Sequence, residues 1–225
     1  MVLNYMMKKV YALASYLGFK VIIRKVNECS IAPSENRIKL QQKHVNNLKV
    51  VLDREALIKL LPKDGIVAEL GVDEGDFSSK ILTLSNPKKL YLIDAWGSKR
   101  YNEYKMRKVE KRFKDYIRSG RVIIKRGISD VILKTFEDAS FDWVYIDTAH
   151  SYEQTKKELE LCRLKVKDGG LISGHDYCMG NIDKALHYGV VQAVNQFCVK
   201  YNWEFIFLTH ETNRNLSFGI RKIVN

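Results

Sequence analysis

Four titratable side chains stand at the ends of two apolar runs. The stretch FDWVYIDTAHSYE, residues 141–153, carries Asp147 and, three positions on, His150; the stretch DGGLISGHDY, residues 168–177, carries His175 and Asp176. Neighbouring strand ends of an open α/β sheet converge on one crevice, so this pattern brings the four side chains together. Two carboxylates are the usual protein share of a Mg²⁺ site, which completes its octahedron with waters and substrate oxygens. A cation held there would chelate adjacent hydroxyls and lower the pKa of one of them, making an oxyanion ready to attack. His150, with an ordinary pKa near neutrality, is the candidate general base. Plainer readings stand beside these: Asp147 and Asp176 as caps of the segments that follow, His150 packed on Tyr152, His175 donating to a backbone carbonyl. His44, His187 and His210 have no partner at ligand spacing and receive no role.

A second constellation lies upstream. In VAELGVDEGDFSSKIL, residues 67–82, an apolar strand ends in Glu69, Leu70 and Gly71, and Gly75 opens a helix whose first turn offers Ser78 and Ser79. Glycine there lets backbone N–H groups approach a ligand, and a helix N-terminus favours an anionic group such as a carboxylate. Two glycines in a turn are weak evidence alone. Asp94, at the end of the next apolar run, adds chemistry, because an acid at that position can accept ribose hydroxyls at the switch point of a doubly wound sheet. The GxGxxG of dinucleotide sites and the Lys-Ser/Thr of a P-loop are both missing, so the loop points to an adenosine-type ligand. Trp96 either lies against the adenine or packs over the strand end.

The elements that must position these groups follow from periodicity. Apolar runs at 66–70, 89–94, 122–125, 143–147 and 170–174 alternate with helical-length segments at 77–84, 103–119, 128–136 and 152–166, the pattern of successive βαβ units and a parallel sheet. After Tyr177 a loop at 178–188, a candidate lid containing Gly180, leads to a helix at 190–201 and strands at 204–208 and 216–220. Two runs so close need a hairpin-like return, which makes the last strand antiparallel. The expected fold is a doubly wound, mostly parallel seven-stranded α/β sheet over 49–225, with residues 1–48 as a helical or irregular appendage. In that appendage 10–19 reads as an amphipathic helix, 21–23 as a strand and Pro33 to Asn36 as a loop. No small-residue cleavage site follows Lys8, Lys9 and the apolar run, so a signal peptide is not the reading, although basic amphipathic segments can lie on membrane surfaces.

At 225 residues with a 46% hydrophobic and 28% charged composition, one globular domain with no transmembrane segment is expected. Four scattered cysteines without zinc-ligand spacing suit a reduced, cytoplasmic protein. The net charge of +12 is concentrated at 99–126, where twelve Lys and Arg residues face three acids. Such a stripe is either an electrostatic footprint for nucleic acid, anionic lipid or an acidic substrate, or the solvated face of a surface helix; the second is the preferred reading.

Residues 66–176 resemble the class I S-adenosylmethionine-dependent methyltransferases, in particular the catechol-type and macrolide-sugar (macrocin-type) O-methyltransferases. The resemblance implies a cofactor set of Glu69, Gly71, Asp73, Gly75 and Ser78 around the methionine moiety and Asp94 at the ribose, with Ala95 and Trp96 beside it among the cofactor-binding residues. Ser129, in the turn Gly127 to Asp130, would edge the adenine, and Asp147 would lie near the methyl donor. It supports the reading of Asp147, His150 and Asp176 as catalytic residues and of Asp147, His175 and Asp176 around a metal. Two departures stand out. Catechol-type enzymes surround the metal with Asp, Asp and Asn and use a Lys base, where this chain has Asp147, Asp176, Tyr177 and His150; the macrolide-sugar relatives carry two consecutive acids where this chain has His175 and Asp176. Imidazole is softer than Mg²⁺ prefers, which admits Mn²⁺ or Fe²⁺.

The resulting expectation is divalent-metal-assisted O-methylation of a small-molecule or saccharide hydroxyl by S-adenosylmethionine. An RNA methyltransferase using the basic 99–126 stretch is one alternative; a non-catalytic nucleoside-binding module is another. The acceptor is not legible, and a homo-oligomer is left open.

Overall fold

The computed structural model describes residues 38–181, 186–211 and 215–224. The amphipathic helix at 10–19, the strand at 21–23 and the loop at Pro33 lie outside them.

Strand β1 (Lys49–Val51) and helix α1 (Arg54–Leu60) come first, then β2 (Ile66–Leu70), α2 (Asp76–Ser85) and β3 (Lys89–Asp94). Helices α3 (Glu103–Arg112) and α4 (Lys114–Arg118) lead to β4 (Val122–Arg126), and α5 (Ser129–Leu133) to β5 (Phe141–Ile146). Helix α6 (Tyr152–Lys165) runs into β6 (Val166–Gly174). The small pair β7 (Gly180–Asn181) and β8 (Leu186–His187) precedes α7 (Val190–Tyr201), β9 (Trp203–Thr209) and β10 (Phe218–Lys222).

One sheet holds β1, β9, β10, β6, β5, β2, β3 and β4 in that order. From β2 the chain winds outward through β3 to β4, then crosses back to β5 and β6 on the other side, so β2 and β5 flank the point where the winding reverses. Both pair in parallel there, Leu70 opposite Ile146, and a crevice must open beyond their carboxyl ends. Strand β10 is antiparallel to both β6 and β9, as the short return from β9 requires.

The parallel strands are buried on both faces and read as nearly continuous apolar runs. Alternate residues of β2 serve opposite layers: Ala68 and Leu70 pack with Leu159, Cys162, Val194 and Phe197 of α6 and α7. Val67 packs with Leu57, Ile58, Ile81 and Leu82 of α1 and α2. Burying one such side chain stabilises by roughly 1.5–3 kcal/mol, so this double layer fixes the strand ends that carry the polar groups.

Three expectations are corrected. The sheet has eight strands, because Lys49–Val51 adds a parallel edge beside β9; three residues, two of them exposed, give no alternation to read. Helix α1 was also missed, although Asp53 caps it by accepting from the Ala56 N–H at 2.7 Å. The single helix expected at 103–119 breaks at Phe113, whose backbone leaves the helical region while its ring is buried beneath the glycine loop.

Candidate active site

The carboxyl ends of β2, β3 and β5 open on a cleft of about 760 Å³, within the range that encloses a nucleoside-sized ligand. Its walls include Glu69, Gly71, Asp73, Asp94, Ala95, Trp96, Ser129, Asp147 and His150.

Backbone geometry explains the glycine loop. Gly71 has φ +87°, and a Cβ there would stand 1.9 Å from the Asp147 carbonyl oxygen, so only glycine allows β2 and β5 to end this close together. Asp73 and Gly75 also adopt positive φ, 53° and 78°, and the turn points the Val72 and Asp73 amides at Asp94. Oδ2 of Asp94 accepts both, at 2.8 and 3.0 Å, and Oδ1 accepts the Trp96 N–H at 3.0 Å. A carboxylate has about four acceptor sites, so Asp94 has room for about one ribose hydroxyl rather than both. Trp96 is buried, and its indole N–H donates to the Asp73 carbonyl at 3.0 Å; it braces the loop from behind.

Two members of the expected cofactor set do not open on the cleft. Ser78 is fully buried and its hydroxyl donates to Glu69 Oε2, while Gly75 forms the left-handed N-cap of α2 against the Phe113 ring. Burial pushes the Glu69 carboxyl up to about 8, and the Ser78 hydrogen bond only partly offsets this. The loop acids are balanced by one face of α3: Lys105 meets Asp73 at 2.5 Å, Lys108 meets Glu74 at 2.9 Å and Arg112 meets Asp76 at 2.5 Å.

Of the four groups that follow β5 and β6, Asp147 and His150 line the cleft, and His175 and Asp176 meet them from behind its wall. His150 Nε2 lies 2.5 Å from Asp176 Oδ2 and 3.4 Å from Asp147 Oδ1; His175 Nδ1 lies 3.4 Å from Asp176 Oδ1 and 4.0 Å from Asp147 Oδ2. Ligand atoms of Asp147, His175 and Asp176 all fall within 4.8 Å of one another, a separation that one cation can bridge. Burial opposes the charge on His150, but the two carboxylates outweigh it and hold its pKa at about 9. Burial likewise opposes ionisation of Asp176, and the two imidazoles overcome it, holding this carboxyl well below the usual range. The N-cap of α6 is Ser151, which accepts from the Gln154 N–H at 3.3 Å, and the His150 ring lies against Tyr188, centroids 4.7 Å apart, rather than on Tyr152.

Sequence reasoning missed four neighbours. Arg54 at the start of α1 reaches 3.8 Å from Asp147 Oδ2, its guanidinium 4.4 Å from the Phe77 ring centre. Asn215 donates to Asp176 Oδ1, Tyr188 covers His150, and Gln154 lines the cleft beside Ser129. The Asp53 cap and the Leu57, Ile58 pair were the available signal for α1. Tyr188 comes from the segment read as a candidate lid and Gln154 from the first turn of the helix expected at 152–166, while no local pattern announces Asn215.

Residues 68–177 match the family model described as a methyltransferase domain. No curated protein sequence matches the chain. Among solved structures, one from Clostridium thermocellum assigned as an rRNA methylase is similar at a TM-score of 0.56 and 15% identity, over 76% of this chain and 95% of that one. SMU.1697c from Streptococcus mutans, assigned as a methyltransferase and solved with S-adenosylhomocysteine, gives 0.54 at 15%, over 74% and 93%. An rRNA methylase from Streptococcus thermophilus gives 0.54 at 14%, over 75% and 93%. At these identities the likeness is one of fold.

Proposed function

We propose that this chain, residues 68–177 of which match a methyltransferase-domain model, is an S-adenosylmethionine-dependent methyltransferase that methylates a hydroxyl of a small-molecule or saccharide acceptor with help from a divalent cation. The observation that carries the reading is the convergence of His175 and Asp176 on Asp147, which itself lines the cleft. The resemblance to catechol-type and macrolide-sugar O-methyltransferases supports a hydroxyl acceptor over an amine.

The donor set suits a cation: two carboxylates supply hard oxygens, and the imidazole tilts the preference from Mg²⁺ toward Mn²⁺ or Fe²⁺. When bound, the cation would polarise acceptor oxygens. The chain itself orients and excludes. The turn from Gly71 to Asp73 and the Asp94 carboxylate would hold the nucleoside, and Asp147 would lie on the methyl-donor side of the cleft. Bound S-adenosylmethionine would supply the methyl group, the C–O bond forming as the C–S bond breaks and S-adenosylhomocysteine leaving, and His150 would take up the hydroxyl proton. A base with a pKa of about 9 carries a proton at neutral pH, so His150 must first release it; loss of negative charge from Asp147 or Asp176 would favour that release.

Labelled S-adenosylmethionine and an acceptor library, read by mass spectrometry with and without chelator, test the reading. Labelled hydroxyl products that vanish with chelator are expected; turnover indifferent to chelator removes the cation. Isothermal titration with Mn²⁺ and Mg²⁺ should give saturable binding to the wild type, weakened at least about tenfold in Asp176→Ala.

RNA is the rival acceptor, favoured by the basic 99–126 stretch and by rRNA methylases among the structural neighbours. Against it, part of that stretch is committed to the loop acids.

A further inference from the structure

Beneath the cleft wall at Ser129 lies a buried polar network that none of the steps above uses. Glu158, on the inner face of α6, is fully buried, and its two oxygens are approached from three directions. Ser129 Oγ donates to Oε1, Thr148 Oγ1 donates to Oε2 at 2.8 Å, and Gln154 Nε2 stands 3.1 Å from Oε1. Gln154 Nε2 is also 3.1 Å from Ser129 Oγ.

The network fixes which end of the Gln154 amide faces inward. Ser129 has one hydroxyl proton and directs it at Glu158, so it offers Gln154 only lone pairs. Oε1 of Glu158, which accepts from both Ser129 and Gln154, offers lone pairs as well. Both inner partners accept, and only the NH₂ end can satisfy them; turning the amide over would set its oxygen against two acceptors and leave them unpaired in a buried place. Oε1 of Gln154 makes no hydrogen bond among the described residues, and the side chain, in the first turn of α6, lines the same cleft as His150. The site therefore shows the ligand an acceptor of fixed orientation.

We infer that Gln154 reads the exocyclic amine of the adenine ring and that Glu158, through Ser129, is the positioning residue that prevents the amide from turning to read anything else. The assignment rests on the proposed use of this cleft for an S-adenosyl ligand. An adenine 6-amino group donates to the fixed oxygen. Hypoxanthine presents a 6-oxo group instead, which meets that oxygen acceptor to acceptor, and a free glutamine would simply rotate to accommodate it.

The test compares S-adenosylhomocysteine with S-inosylhomocysteine by isothermal titration. The wild type is expected to prefer the adenine compound by about tenfold or more, the scale of one hydrogen bond made against one repulsive contact. Gln154→Leu should lose most of that preference, mainly by weakening S-adenosylhomocysteine. Glu158→Gln, which frees the amide to turn, should narrow the preference by the other route, tightening S-inosylhomocysteine. Gln154 is partly exposed, so the leucine variant keeps the inference testable even if Glu158→Gln fails to fold. Equal affinities in the wild type, or an unchanged preference in Gln154→Leu, would overturn the assignment while leaving the methyltransferase reading intact. Absence of S-adenosylhomocysteine binding to the wild type would overturn both.

Discussion

Glu69 carries a carboxyl where water does not reach, and the consequence is measurable without any substrate. The native group keeps its proton to about pH 8, whereas an ordinary glutamate releases it near 4.5. Between those values the folded state binds more protons than the unfolded one, so stability falls as pH rises through that window and levels off above it. Glu69→Gln preserves the shape and the acceptor for Ser78 but removes the titration. The glutamine variant should therefore gain on the wild type between pH 5 and 8, by a margin on the order of 2–5 kcal/mol. Thermal unfolding at pH 5, 6.5 and 8 reads this directly; parallel curves for the two proteins would show that Glu69 ionises freely in the folded state. His150 illustrates the opposite balance, since two carboxylates raise its pKa despite burial. Sequence spacing brought His150 beside Asp147 correctly, yet its ordinary pKa did not foretell this charge state, which depends on Asp176 arriving from β6.

The contact between β2 and β5 gives the next prediction at the level of elements. Gly71→Ala forces a side chain against the Asp147 carbonyl and imposes positive φ on alanine, so it should cost at least about 3 kcal/mol. Gly169 has φ +74° but open space around it, and Gly169→Ala should cost only about 1–2 kcal/mol. Denaturant unfolding of both separates crowding from backbone strain; equal losses would mean that the strand ends can part. The sequence made β2, β3 and α7 readable to the residue, because long apolar runs closed by charged or turn residues leave little choice of register. It hid β1, which is short and mostly exposed, and it hid the break in 103–119, since nothing local distinguishes Phe113 from a helical residue until its ring is needed beneath Gly75. The site divides along the same line. Groups at strand ends, such as Asp94, Asp147 and Asp176, were legible because the sheet delivers them; Arg54, Gln154 and Asn215 were not, because tertiary packing brings them in.

Across the whole molecule the question is what a net charge of +12 is for. Lys105, Lys108 and Arg112 neutralise Asp73, Glu74 and Asp76 of the glycine loop, and Arg107 and Arg118 pair within α3 and α4. Arg121 and Arg126 donate to backbone carbonyls, Pro87 for the first and Ala95 and Trp96 for the second, and Arg100 lies over Tyr101. Of the twelve basic residues at 99–126, Lys99, Lys111, Lys114 and Lys125 are left with no side-chain hydrogen bond, ion pair or ring contact among the described residues. Exposed pairs contribute little to stability, but each one that persists would have to be broken, or its carboxylate tolerated, before the cation could serve a phosphate. A single strand held by four lysines releases about three counterions, against about eight if all twelve engaged. Filter binding of a generic RNA between 50 and 200 mM salt should thus give a log K against log salt slope no steeper than about −3, with weak affinity throughout. A slope near −8 would mean that the stripe abandons its loop partners for phosphate, and the acceptor would then be sought among nucleic acids rather than among small hydroxylated molecules.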